Sequence, residues 1–154
     1  MGETLGFSEP SLKGRAMRLL AAREHSRAEL ERKLQAHEAA PGQLAAALDE
    51  LQAKGFINEA RVVQSVVHRR AERLGTQRVR AELNAKGLPP ELVAEAVDDL
   101  RTTEESRARE VWRRKFGQPA SDPRERAKQM RFLAARGFSS EAIRRVVQGA
   151  DEDG

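Results

Sequence analysis

The side chains best suited to proton transfer or metal ligation near neutral pH are three histidines, His25, His37 and His68, and the chain holds no cysteine. They fall in separate predicted helices or caps, with no second ligand at metal spacing. His68 and Glu72 stand one helical turn apart, where an ordinary surface pair is the simpler reading. Asp98-Asp99 lies near a predicted helix end, where carboxylates are solvated. The eleven glycines are scattered, mostly at helix ends, so no glycine-rich loop cradles a phosphate. Without convergent reactive groups the sequence predicts no enzyme, no cofactor, no metal site and no small-molecule substrate.

Cations are what remains. Arg113-Arg114-Lys115 form a run at a predicted helix end, and the helix dipole alone rewards cations there by about 0.3–1 kcal/mol. Arg124, Lys128, Arg131 and Arg136 follow one helical stripe, and Arg144 and Arg145 lie on the next predicted helix. Together they are a candidate patch for phosphates or for an acidic protein groove, against the plain alternative of a solvated face. Arg69, Arg70, Arg73, Arg78 and Arg80 cluster around one helix junction upstream. Trp112 reads as a core anchor rather than a platform for stacked bases.

The elements that must position these groups are well punctuated. Ser26 with Glu29, and Asp122-Pro123 with Glu125, have the spacing of helix starts in which side chains satisfy free backbone donors. Thr102 with Glu105 shares that spacing, and Thr76 and Ser139 open further helices. Three stops read alike: Lys54-Gly55-Phe56, Lys86-Gly87-Leu88 and Arg136-Gly137-Phe138. Each offers a cation, a glycine for a left-handed residue and an apolar residue to fold back. Helices are expected at 11–24, 26–38, 42–54, 58–73, 76–86, 90–100, 103–116, 123–135 and 140–148.

A repeat organises them. Leu34, Leu44, Leu48 and Leu51 recur 49 residues on as Leu83, Val93, Val97 and Leu100. An offset of 50 carries Leu83, Gly87, Leu88, Glu91, Val93 and Val97 onto Leu133, Gly137, Phe138, Glu141, Ile143 and Val147. Such an echo predicts an all-α chain of three tandem three-helix, helix-turn-helix-like repeats in an elongated array. The expected division is a flexible N-terminus at 1–10, repeats at 11–57, 58–102 and 103–148, and an acidic tail at 149–154. Residues 1–10 and 149–154 look frayed. The third repeat is the basic one, with twelve basic against six acidic side chains in 104–148.

Composition agrees. Ala, Leu, Glu and Arg dominate, aromatics are scarce, and 34% of residues are charged, which suits helices with wide solvated faces. The sequence shows no signal-peptide pattern near Met1 and no stretch approaching the ~20 apolar residues of a membrane span. A cytoplasmic monomer with no membrane partner is expected.

Several segments resemble the RecX family of bacterial regulatory proteins. Leu19 through Ser26 with Glu29-Leu30 and Lys33-Leu34 is similar to its opening motif, as is Leu51 through Asn58 with Arg61. Arg73 through Gly75, Arg78, Glu82-Leu83 and Lys86-Gly87-Leu88 match its central motif, and Arg131 through Ser139 its closing one. The likeness runs in order over about residues 15–148, with one departure: Glu59 and Val62 stand where the family usually has Asp and an aromatic.

The resemblance implies a curved array that binds RecA along the groove of its nucleoprotein filament. It implies restraint of recombinase, ATPase and co-protease activities, and so a part in homologous recombination, DNA repair and the SOS response. Weak direct contact with DNA is the competing expectation, because basic helix-turn-helix units also enter grooves.

Overall fold

The computed structural model describes residues 9–153, so residues 1–8 of the expected flexible N-terminus lie outside the described residues. Every regular element among the described residues is helical. The helices are α1 (Leu12–Ala22), α2 (Arg27–Leu34), α3 (Gln43–Ala53), α4 (Glu59–Arg70), α5 (Thr76–Ala85), α6 (Pro90–Lys115), α7 (Pro123–Ala135) and α8 (Ser140–Asp153). A short 3-10 turn, Gln35–His37, extends α2. The chain packs as two compact units. The first holds the described residues through Val62 together with Lys86–Leu88, and the second holds Val63–Ala85 with Pro89 onward.

In the first unit, Ala16, Leu30, Leu34, Leu44, Leu48, Leu51 and Ile57 form one apolar cluster. The start of α2 holds it in place. Glu29 N–H donates to Ser26 Oγ at 3.1 Å, and Ser26 N–H donates back to Glu29 Oε1 at 3.0 Å. The Ser26 hydroxyl in turn donates to the Lys86 carbonyl. Buried His25 sits beside this cap, with Nδ1 3.0 Å from the Arg23 carbonyl and Nε2 3.0 Å from Lys33 Nζ. Because an ammonium can only donate, Nε2 accepts and Nδ1 carries the proton.

In the second unit, α6 contacts α5, α7 and α8. Its far half, with α7 and α8, buries Ala108, Val111, Trp112, Leu133, Phe138, Ile143, Val146 and Val147. Trp112 is a core residue as expected, and its Nε1–H donates to Gln129 Oε1 at 2.8 Å. All thirteen apolar repeat positions, from Leu34 to Val147, are buried.

The glycine stops form as read: Gly55, Gly87 and Gly137 take φ of 83°, 67° and 90°. Phe138 N–H reaches back to the Leu133 carbonyl, and Leu88 and Phe138 are buried. The first stop differs, since Phe56 is 43% exposed and Ile57 fills the buried place.

Two expectations are corrected. Helices expected at 90–100 and 103–116 are one 26-residue helix, α6. Thr102 does not cap a helix; its hydroxyl and that of Thr103 bond back to the carbonyls of Asp99 and Leu100 inside α6. The sequence there contains neither Gly nor Pro, so nothing stops propagation. At the C-terminus, α8 runs through Asp153 rather than fraying after 148.

Candidate functional site

The second unit contains every candidate cation, and a buried polar knot determines how several are presented. Arg107 of α6 is half-buried, and its Nη1 donates to the carbonyls of Ala71 at 3.0 Å and Leu74 at 2.6 Å. Nη2 donates to Thr76 Oγ1 and the Leu100 carbonyl, and Nε to Thr103 Oγ1. Burial pushes the Arg107 pKa down and neighbouring Glu104 opposes it, so the guanidinium remains charged. Glu104 is itself buried and accepts from the Thr76 N–H at 2.9 Å, capping α5 from another helix. These bonds clamp the turn Ala71–Leu74, and with it Arg73.

A second clamp holds the α7–α8 turn against the α4–α5 turn. Gly75 N–H donates to the Arg136 carbonyl at 2.7 Å, and Gln77 N–H to that of Gly137. A Cβ on Gly75 would lie 2.3 Å from the Gly137 carbonyl carbon, so only glycine allows this approach. Arg78 reaches across to the Ala135 carbonyl at 2.8 Å.

Between these turns and the end of α6 opens a cleft of about 240 Å³. Its floor is Val111 and Phe132, Glu72 stands on its rim, and Arg73, Arg114, Lys115 and Arg136 supply positive charge. The Phe132 ring carries Arg136 at 4.9 Å and Lys115 at 5.4 Å from its centroid, and it meets Phe116 edge-on. Each such cation–ring contact is worth about 0.5–1 kcal/mol at exposed sites.

The remaining candidates divide by partner. Arg70 pairs with Glu82, Arg113 and Arg114 with Glu110, and Arg145 with Glu141 and Glu105. Arg69 bonds within α4 to the Ser65 carbonyl. Arg78 is a structural tie. Arg80 borders a separate hollow with Asp98 and Arg101, and Arg145 another with Glu104 and Glu105. Arg124, Lys128, Arg131 and Arg144 are exposed and make no ion pair among the described residues. The structure therefore joins Arg73, Arg114, Lys115 and Arg136 in one cleft and puts Arg145 elsewhere. Sequence reasoning missed Arg107, Glu104 and the placement of Phe132. The available signal was a polar pair interrupting the apolar register between Leu100 and Val111.

No helix among the described residues is long and apolar enough to cross a membrane. Three family models match in order: the first three-helix domain of RecX over residues 13–51, the second over 58–97 and the third over 103–147. The class is thus an all-helical protein of three tandem three-helix domains. The chain belongs to the RecX family of regulatory proteins.

Among curated relatives, regulatory protein RecX of Leptothrix cholodnii is 60% identical, over 93% of this chain and 91% of its own. That of Ralstonia nicotianae is 47% identical, over 92% and 89%. The fold matches the crystal structure of RecX from Lactobacillus salivarius with a TM-score of 0.73 at 20% identity, covering 92% of this chain and 95% of that one.

Proposed function

We propose that this protein binds RecA and the RecA nucleoprotein filament in the cytoplasm and inhibits RecA recombinase, ATPase and co-protease activities. Membership of a family of regulatory proteins carries the reading. The second unit supports it physically: it presents Arg124, Lys128, Arg131 and Arg144, exposed and without an ion pair among the described residues, and a convergent basic cleft. Rim charges of this kind speed encounter with an oppositely charged surface, whereas short-range clefts set how long a complex lasts.

Direct DNA binding is the second reading, favoured by the same exposed cations, Arg124, Lys128, Arg131 and Arg144. Neutralising phosphates would make log affinity fall with log salt by about 0.7 per phosphate on single strands. A protein groove gives a shallower dependence. The deciding experiment is retention of the protein on RecA–ssDNA filaments beside naked ssDNA at equal, physiological salt. Selective retention on filaments is expected; equal retention on naked ssDNA refutes filament recognition.

A further inference from the structure

Cations at helix C-termini ordinarily need no ligand, because they neutralise the exposed carbonyls of their own helix. Two buried or bridging arginines already do this work around the cleft. Arg107 takes the carbonyls that follow α4, and Arg78 takes the Ala135 carbonyl at the end of α7. Arg73 and Arg136, which flank those carbonyls in sequence, are left without an ion pair among the described residues and border the cleft. We propose that this cleft receives an acidic segment of a protein partner, with an apolar side chain against Val111 and carboxylates on Arg73 and Arg136. This rests on the reading that the protein acts by binding a protein filament.

The geometry favours carboxylates over a nucleic-acid strand. A base needs an open aromatic face, and Phe132 is overlaid by Lys115 and Arg136. A carboxylate leaves those cations on the ring and bonds to their outward N–H groups, with charge-assisted strength. The apolar floor fits an aliphatic side chain between acidic neighbours. Glu72 on the rim repels a continuous polyanion passing over the hollow. Because Arg73 and Arg136 project from turns held by Arg107 and by the Gly75–Gly137 contact, the backbone positions from which they reach are preset before a partner arrives.

The test is fluorescence anisotropy of a short labelled peptide of mixed Glu and Leu, beside a short oligothymidylate of similar charge, at physiological salt. The proteins are wild type, Arg73→Gln/Arg136→Gln, and Arg18→Gln/Arg101→Gln, which makes the same charge change at exposed arginines outside both the cleft and the basic surface of α7 and α8. Folding of each is checked by circular dichroism and Trp112 fluorescence. Wild type should bind the peptide, with affinity falling about tenfold or more in the cleft variant and under about threefold in the control. Equal loss in both double variants overturns the cleft in favour of diffuse charge. Tighter oligothymidylate binding that the cleft variant abolishes overturns it in favour of nucleic acid. Filament retention run in parallel separates the two claims. Loss of wild-type retention refutes filament binding, whereas retention without peptide binding refutes only the cleft assignment.

Discussion

Replacing Arg107 by Leu should unfasten the second unit more than any other single surface-accessible change. The guanidinium satisfies five acceptors, at Ala71, Leu74, Thr76, Leu100 and Thr103. A hydrogen bond from a charged group contributes about 1.5–3 kcal/mol, but bonds sharing one side chain do not add. The decisive losses are the carbonyls of Ala71 and Leu74, which lose their side-chain donor, and the buried Glu104 carboxyl, which loses its cationic neighbour. Water can reach the half-buried site, so the cost settles near the low end for a broken buried charge cluster, about 3 kcal/mol. The chain has one Trp, and Trp112 lies in the core of this unit, so its fluorescence in a urea titration reports the loss directly. A midpoint lower by about 1–3 M is expected for ordinary urea slopes. Arg107→Lys keeps the charge but cannot span the five acceptors, and should recover less than half of the stability. An Arg107→Leu protein within about 0.5 kcal/mol of wild type would show that the knot does not hold the turn.

Three further outcomes follow from packing and charge. Leu83→Ala and Leu133→Ala, both fully buried, should each cost about 2–5 kcal/mol in thermal or urea unfolding, and changes under about 0.5 would mean the repeat register is wrong. Gly75→Ala should destabilise by more than about 2 kcal/mol, since its Cβ meets backbone at 2.3 Å. Gly55→Ala should cost only the roughly 1 kcal/mol of a left-handed residue in open space, so a reversed order would contradict the back-to-back turns. In the first unit, burial pushes the Glu29 carboxyl up, but Arg23, the Ser26 N–H and Lys86 outweigh it and leave its pKa at about 2. Burial also lowers the His25 pKa below its usual 6.5, with the nearby Arg23 and Lys33 charges adding. Both groups bind protons more readily when unfolded. Stability should therefore fall as pH drops below 6.5 for His25, and from about 4.5 towards 2 for Glu29. The Glu29 share is at most about 3 kcal/mol and roughly 1–2 after screening by solvent around Arg23, and Glu29→Gln should flatten it in urea titrations followed by circular dichroism.

Local grammar made most of the fold legible. Ser26 with Glu29 caps α2 and Asp122 with Pro123 caps α7, and left-handed glycines close α3, α5 and α7. Where reading failed, a side chain served an element distant in sequence. Glu104 occupies a core-facing position of α6 because it caps α5, a contact that only the fold reveals. Thr102 has the spacing of a cap but bonds backwards within the helix, a choice that local sequence leaves open. The candidate cations were visible as residue types, yet their division was not. Arg78 and Arg145 are taken up by a carbonyl and by carboxylates from elsewhere in the chain, and only tertiary contacts gather Arg73, Lys115 and Arg136 around Phe132.

The most direct measurement of filament recognition through this surface is RecA strand exchange with Arg124, Lys128, Arg131 and Arg144 all reversed to Glu. These four cations make no ion pair among the described residues, so reversal should leave the fold intact by circular dichroism and Trp112 fluorescence. The basic-surface mechanism predicts slower association with RecA–ssDNA filaments and loss of inhibition at the wild-type concentration. The gap from wild type should widen as salt is lowered, because screening then hides less of the lost attraction. A folded fourfold variant that still inhibits strand exchange at the wild-type concentration would contradict it.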